Sequence, residues 1–359
     1  MRTLALARAT AEARAEVLVI GGGRVIDHID HDGVRLLQLP PLQVPDFDFS
    51  TLRQPDGTPA DAAYLARRRA ELEETLAGFR PDALVTELYP LGRRMLAAEF
   101  EAAIAAARAA NPAAAVIASV RDVPEPSKKP GRLDEAAGRL RRHYDALLVH
   151  GDATFLPLSA TWPLPDDLAR MTHHTGYVGG AAAAEAGAHG ETVLVAVGGG
   201  VLGRRLLALA AEAAAFSHRP WHLLTGGADA ADLARDLAAR HGRPNLFVEL
   251  ARPDYKALLA TAACSVSLAG YNTVLDLAAC TTPAILVPFD EHDEREQVIR
   301  AERLAACDGF TVLRVGDLTA EALARAAEAA ATGPRRTPLP LARDGTAFAA
   351  AKILELARR

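Results

Sequence analysis

The sequence predicts an α/β fold in two halves, each a parallel sheet wrapped by helices. Three observations predict it. Short apolar runs rich in β-branched residues alternate with amphipathic segments along the chain, the pattern of parallel strands joined by helices. The alternation stops at an Ala/Gly-rich stretch, 178–190, and restarts cleanly at Thr192. A stretch of that composition reads as an interdomain linker. The length of 359 residues suits two domains of ~100–200 residues each.

In the first half, residues 2–14 read as an amphipathic helix and Val17–Ile20 as a strand ending in Gly21-Gly22-Gly23. Residues 24–33 place His28, His31 and three aspartates in a turn. Those residue types bind metals, but the rigid helical spacing of a metal site is missing, so a solvated loop is the better reading. Val34–Leu39 is a strand, 40–60 a Pro-rich acidic loop, and Ala62–Phe79 a helix broken by Pro81. Ala83–Leu88 is the next strand, followed by Tyr-Pro-Leu-Gly-Arg-Arg and a helix through Ala110. Ligands of open α/β sheets bind outside the carboxyl ends of the strands. Glu87 sits at such an end and is a candidate general base toward an acceptor hydroxyl. The plainer reading is a carboxylate that caps the next helix or pairs with Arg93 or Arg94, two residues suited to an anionic acceptor. Ala115–Val120 is a strand with Asp122, the rival base, just past its end. A basic loop, PEPSKKPGR, leads to a helix at Leu133–Tyr144 and a strand at Asp145–His150. His150 is the weaker base candidate, because a lone histidine at a strand end is more often a packed one. Residues 153–174 read as an irregular crossing.

The second half runs strand Thr192–Val197, the turn Gly198-Gly199-Gly200, and a helix to Phe216. A glycine turn there lets the backbone approach a phosphate closely. Strand Trp221–Thr225, helix Ala230–His241, strand Asn245–Leu250 and helix Arg252–Ala262 follow. Ser265–Leu268 is a buried strand ended by Ala269 and Gly270, and Asn272 and Thr273 fall where caps of the next helix, Val274–Ala279, belong. Strand Ala284–Phe289, acidic loop Asp290–Glu294 and a helix from Arg295 to Ala306 complete the unit. Free amides at a helix start make an anion site. Asp276, one turn on, and Glu296 and Gln297, after the next strand, suit sugar hydroxyls beside a diphosphate. Strand Phe310–Val315, helix 319–331, a Pro-rich turn and the last helix, Thr346–Ala357, close the chain. The domains expected are 1–178, 179–345 and a terminal segment, 346–359, that packs back on the first.

Composition narrows the function. The chain is 50% hydrophobic and 24% charged, so it can bury a sizeable core. A net charge of −5 argues against a general nucleic-acid binder. Three cysteines, Cys264, Cys280 and Cys307, are too few and too odd for a disulfide framework, which points to a reducing cytoplasm. No apolar run approaches the ~18–20 residues that span a bilayer, so membrane contact is expected to be peripheral at most.

The run AGYNTVLDLAACTTPAILVP, with REQVIRAERL after it, resembles the donor-binding core of GT-B glycosyltransferases. The most similar group is the one related to the bacterial transferase of peptidoglycan N-acetylglucosamine, family 28. A narrower bacterial set of predicted glycosyltransferases shares the patterns at 86–94, 119–122 and 149–152. The resemblance implies two Rossmann-like domains facing a cleft, and an inverting, metal-independent hexosyltransferase without a cofactor. Its donor would be a nucleoside-diphosphate sugar, UDP among the candidates, and its acceptor is left open between anionic and lipid-linked chemistries. The implied donor contacts are Gly199, Gly200, Gly270, Asn272, Thr273, Asp276, Glu296 and Gln297, with the base held by main chain at Glu249 and Leu250. In that family the residue at Asp276 is usually Glu and holds the ribose. The family also places a strand and a Gly-His turn before the first helix; here the sequence opens at MRTLALARAT. The resemblance therefore implies a missing first strand and a gap in a sheet where that strand is central. A start assigned downstream of the true one, or an impaired fragment, would each explain it. Rival functions are a nucleotide-sugar hydrolase or epimerase and a binding protein without turnover. A NAD oxidoreductase fits less well. Gly198, Gly200 and Gly203 have the fingerprint spacing, but Thr225-Gly226 stands where an acidic residue should end the second strand.

Overall fold

A computed structural model describes residues 2–23, 33–44, 51–125, 129, 131–179, 190–198, 201–227, 229–288, 290 and 295–359. The expected turn with His28 and His31, most of the linker, most of the acidic loop and the pair Gly199-Gly200 lie outside the described residues. The chain divides into two compact units, Met1–Gly179 with Ala342–Arg359, and Gly180–Leu341.

The first unit holds α1 (Arg2–Glu12), β1 (Leu18–Gly21), β2 (Arg35–Gln38), α2 (Ala62–Phe79), β3 (Ala83–Glu87), α3 (Ala97–Ala110), β4 (Ala115–Arg121), α4 (Arg132–His143), β5 (Ala146–His150) and β6 (Thr172–His174). The terminal helix, Gly345–Ala357, returns to it. β3 to β6 form one parallel sheet in sequence order. Side chains alternate across its faces. From β4, Ala115 and Ile117 meet Leu6 of α1 and Ala349, Ile353 and Leu356 of the terminal helix. Val116, Ala118 and Val120 meet Ile104, Ala136, Ala137 and Leu140 of α3 and α4. A sheet covered on both faces explains why these strands read as unbroken apolar runs.

β1 and β2 form a separate parallel pair. Ile20 and Leu37 nevertheless pack with Leu84 of β3 against Leu72, Leu76 and Ala103, so α2 and α3 serve both sheets. Arg68 of α2 closes the carboxyl ends of the pair. It is fully buried, binds both carboxylate oxygens of Glu99 at 2.9 and 3.0 Å, and donates to the carbonyls of Gly22 and Pro40. Strand β6 lies inside the stretch read as irregular. Its three residues, Thr-His-His, carry no apolar run to betray it.

The second unit holds β7 (Val193–Ala196), α5 (Val201–Ala213), β8 (Trp221–Thr225), α6 (Ala230–His241), β9 (Leu246–Leu250), α7 (Tyr255–Thr261), β10 (Cys264–Ser267), α8 (Tyr271–Ala279), β11 (Ala284–Leu286), α9 (Glu296–Ala305), β12 (Phe310–Val312) and α10 (Ala320–Thr332); the terminal helix is α11. Six parallel strands run in the order β12-β11-β10-β7-β8-β9. That is the doubly wound order, which reverses direction between β7 and β10. Helix α7 starts at Tyr255, later than the expected Arg252, and Arg252 pairs with Asp254 just before it.

Replacing Arg68 with Leu strands Glu99 and two carbonyls beside an apolar side chain. The variant is expected to lose about 3 kcal/mol of stability, read as a lower urea midpoint. An unchanged midpoint would mean that this buried pair does not hold β1 and β2.

Candidate active site

The switch between β7 and β10 is where a doubly wound sheet opens a crevice at its carboxyl edge. The two strands pair directly, Cys264 with Val193 through Val266 with Val195. Their following turns lead to α5 and α8. At the first turn only glycine fits at position 203. A Cβ there would lie 2.4 Å from the Gly198 carbonyl and 3.0 Å from Val197, so the start of α5 presses onto its own strand.

At the second turn, α8 begins at Tyr271, with Gly270 as its cap residue and no side-chain cap. Asn272 and Thr273 are thus inside the first turn rather than capping it. The cause is Gly270, whose extended backbone (φ −71°, ψ 158°) makes the handover there, so the helix starts at Tyr271 instead of the expected Val274. The first helical bond runs from the Val274 amide to the Gly270 carbonyl at 3.0 Å. The amides before Val274 therefore lie outside the helical ladder.

Helix α9 braces this turn. Gln297 Oε1 accepts from the Ala269 amide at 3.3 Å, and Arg300 donates to the Ala269 carbonyl at 3.3 Å. Arg300 is wholly buried, pairs with Glu296 at 2.7 Å, and lies 6.0 Å from the Tyr271 ring centroid. Of the two residues expected on a sugar, Gln297 bonds the backbone of the turn and Glu296 pairs with Arg300. Asp276 likewise has a partner, Lys256 of α7 at 3.1 Å. Burial raises its pKa, and Lys256 offsets part of that rise. Glu249 at the end of β9 takes His222 at 2.7 Å and Arg252 at 3.1 Å through its side chain, and its carbonyl accepts from Thr225 at 3.1 Å. Leu250 beside it is half exposed.

The first unit gathers polar groups at the carboxyl edge of β3 to β6. Glu87 forms its ion pair with Arg2 of α1, and Arg93 interacts with it only electrostatically, without a close pair. The contact spans 85 positions of sequence, so no local signal could have shown it. Ser119 donates to its other oxygen at 3.0 Å. Asp122 is buried. Its oxygens accept from the Val123 amide at 2.8 Å and the Tyr177 hydroxyl at 3.3 Å. A Cβ on Gly151 would fall 2.6 Å from Asp122 Cβ, so glycine is required for this approach. His150 is buried between Ser119 and Thr175, its Nε2 2.9 Å from one hydroxyl and its Nδ1 2.9 Å from the other. Burial, with a smaller contribution from Arg2, lowers its pKa to about 3, so the ring is neutral at ordinary pH. Ser119, Thr175 and Arg2 were missed as site residues. The alternation that puts Ser119 and Glu87 side by side in register was the available signal for Ser119.

The neutral state of His150 has a consequence for stability. The unfolded imidazole binds a proton below about 6.5, and the folded one does not until about 3. The unfolded state then holds more protons across that window, so stability falls as pH falls through it. Urea unfolding from pH 7 to pH 4 is expected to show a steeper loss for the native chain than for His150→Gln. Equal slopes would contradict a buried neutral ring.

Residues 194–356 match the family described as Glycosyltransferase family 28 C-terminal domain. Curated proteins similar to the chain include UDP-N-acetylglucosamine--N-acetylmuramyl-(pentapeptide) pyrophosphoryl-undecaprenol N-acetylglucosamine transferases. That of Anaeromyxobacter sp. (strain Fw109-5) is 37% identical over 83 residues, 23% of this chain and 22% of that protein. That of Rhodospirillum centenum (strain ATCC 51521 / SW) is 34% identical over 126 residues, 34% of this chain and 32% of that protein. The chain thus spans between about a fifth and a third of the length of these curated relatives. Among solved structures, MurG of Acinetobacter baumannii aligns with a TM-score of 0.58 at 14% identity, over 99% of this chain and 95% of that one. Glycosyltransferase VinC in complex with dTDP aligns with a TM-score of 0.59 at 15% identity, over 99% and 92%. Identities this low speak for fold. The chain is therefore related to glycosyltransferase family 28 through its C-terminal domain and has the fold of the GT-B glycosyltransferases.

Proposed function

We propose that the protein moves a hexose-type sugar from a nucleoside-diphosphate donor to an acceptor hydroxyl, with inversion and without a metal or other cofactor. The observation that carries this reading is the braced β10–α8 turn at the switch point of a family 28 domain. In the proposed complex the amides of the first turn of α8, at Asn272 and Thr273 after Gly270, face the diphosphate; Gly199 and Gly200, the other phosphate contacts expected from the sequence, lie outside the described residues. Asp276 exchanges Lys256 for a ribose hydroxyl. Gln297 keeps its carbonyl on Ala269 and offers its amide N–H groups to the sugar, next to Glu296. The main chain of Glu249 and Leu250 takes the base. The relatives' names support a UDP sugar and a lipid-linked, anionic acceptor. No helix of the described residues is long and apolar enough to cross a membrane, and a cytoplasmic enzyme with peripheral membrane contact fits.

The first unit supplies the base. Glu87 is the better placed of the two carboxylates, because its side chain keeps 18% exposure whereas Asp122 is buried. The acceptor oxygen bonds to the anomeric carbon as the bond from that carbon to the diphosphate breaks. The hydroxyl proton goes to Glu87, and the diphosphate leaves with the electron pair. Helix amides held in place stabilise that charge without reorganising. One observation favours a second reading, a sugar-nucleotide binding protein without turnover: Arg2 already occupies Glu87.

A thermal-shift panel of UDP, GDP, ADP and dTDP sugars tests the donor. At 100 times Kd, binding should stabilise the fold by about 2.7 kcal/mol, a rise of a few degrees in Tm, and Asp276→Ala should remove it. Glu87→Gln should keep the shift and lower turnover by about 10²–10⁴-fold. No shift with any donor would refute the reading. A shift with retained turnover in Glu87→Gln would make Asp122 the base, and a shift with no product from any acceptor would favour binding alone.

A further inference from the structure

We propose that His150 is a positioning residue for Glu87. It acts through the Ser119 hydroxyl, with its neutral Nε2–H tautomer fixing the direction in which that hydroxyl points. The catalytic meaning of this rests on the reading of Glu87 as the base; the hydrogen-bond order does not.

The order follows from counting protons. Ser119 Oγ lies 3.0 Å from Glu87 Oε2 and 2.9 Å from His150 Nε2. An ionised carboxylate only accepts, and a serine hydroxyl has one proton to give. That proton goes to Glu87, so Ser119 Oγ must accept from His150, which puts the imidazole hydrogen on Nε2. Nδ1 is then bare and accepts from the Thr175 hydroxyl at 2.9 Å. Thr175 has two other acceptors within reach, the Gly176 carbonyl at 2.7 Å and the Val149 carbonyl at 3.4 Å. If its proton turned to either, the order along the chain would reverse. Nδ1 would carry the hydrogen, Ser119 would donate to His150, and Glu87 would lose its donor.

The chain is buried along most of its length. Ser119, His150 and Thr175 are 1%, 0% and 4% exposed, whereas the Glu87 side chain keeps 18%. Water cannot exchange freely for the inner donors, so the carboxylate at the open end is oriented from behind. Strand register accounts for the assembly. Glu87 lies opposite Ser119 across β3 and β4, His150 ends β5, and Thr175 follows β6 with its amide on the Val149 carbonyl at 2.9 Å. A hydroxyl aimed by a neutral ring holds one carboxylate oxygen while Arg2 holds the other.

The test uses long-range ¹H–¹⁵N spectra of the histidine rings, which report the tautomer of His150 without any ligand. The native chain should show Nε2–H. In Glu87→Gln the amide oxygen takes the place facing Arg2 and the NH₂ group faces Ser119. Ser119 must then accept from it and give its own proton to His150, so the ring should change to Nδ1–H. Glu87→Gln in a Ser119→Ala background should leave the ring as it is in Ser119→Ala alone. Nδ1–H in the native chain, an unchanged tautomer in Glu87→Gln, or a change that persists without Ser119 would each overturn the proposal. Turnover adds a second readout. Ser119→Ala should lower kcat by about fivefold to tenfold, the worth of one hydrogen bond, with KM unchanged, and Ser119→Thr should restore it. Lost turnover in Glu87→Gln with no change of tautomer would keep the base and discard the positioning role. A tautomer change with full turnover would discard the base instead.

Discussion

A parallel strand that hands its chain to a helix leaves amides at the start of that helix without acceptors. The second unit is arranged around one such handover, from β10 to α8. Its ladder opens only at Val274. It sits beside β7, where the strand order of the sheet reverses. Both amide and carbonyl of Ala269 are taken by α9, through Gln297 and Arg300. The turn is therefore held from outside, and the following amides keep their direction without a side-chain cap. A capped helix start would have spent those donors on its own residues.

Charge in both units is managed by pairing rather than by exposure. Arg300 is buried against Glu296, Arg68 against Glu99, and Asp276 leans on Lys256. A buried ion stripped of its partner is costly, so such pairs fix the elements that carry them. The carboxyl edge of the first sheet follows the same logic. Glu87 is held between a guanidinium and a hydroxyl, and the hydroxyl is held by a ring that burial keeps neutral.

Much of this was legible in the sequence where local punctuation is strong. Helix α2 runs over the expected Ala62–Phe79, because Asp61 caps it at the Tyr64 amide and Pro81 follows its end. Strand β8 and helix α6 also keep their expected bounds, since an apolar run, a glycine pair and an amphipathic stretch are each local signals. Positions at strand ends, such as Glu87, Asp122 and His150, could be read from the same pattern. Their partners could not. Arg2 meets Glu87 and Lys256 meets Asp276 because sheets and helices bring them together, and nothing near either carboxylate in sequence announces the contact. The shift of the α8 start from Val274 to Tyr271 escaped for a different reason. Asn272 and Thr273 are good caps by type, but Gly270 in extended backbone had already made the turn. Strand β6 is too short and too polar for any periodicity to expose.

The proposed transfer depends on the turn after β10 receiving the diphosphate of the donor. A crystal of the chain soaked with a nucleoside diphosphate measures this most directly. Phosphate oxygens are expected within hydrogen-bonding distance of the Asn272 and Thr273 amides, with Gln297 still on Ala269. A diphosphate bound elsewhere, with those amides turned away from it, would rule this site out.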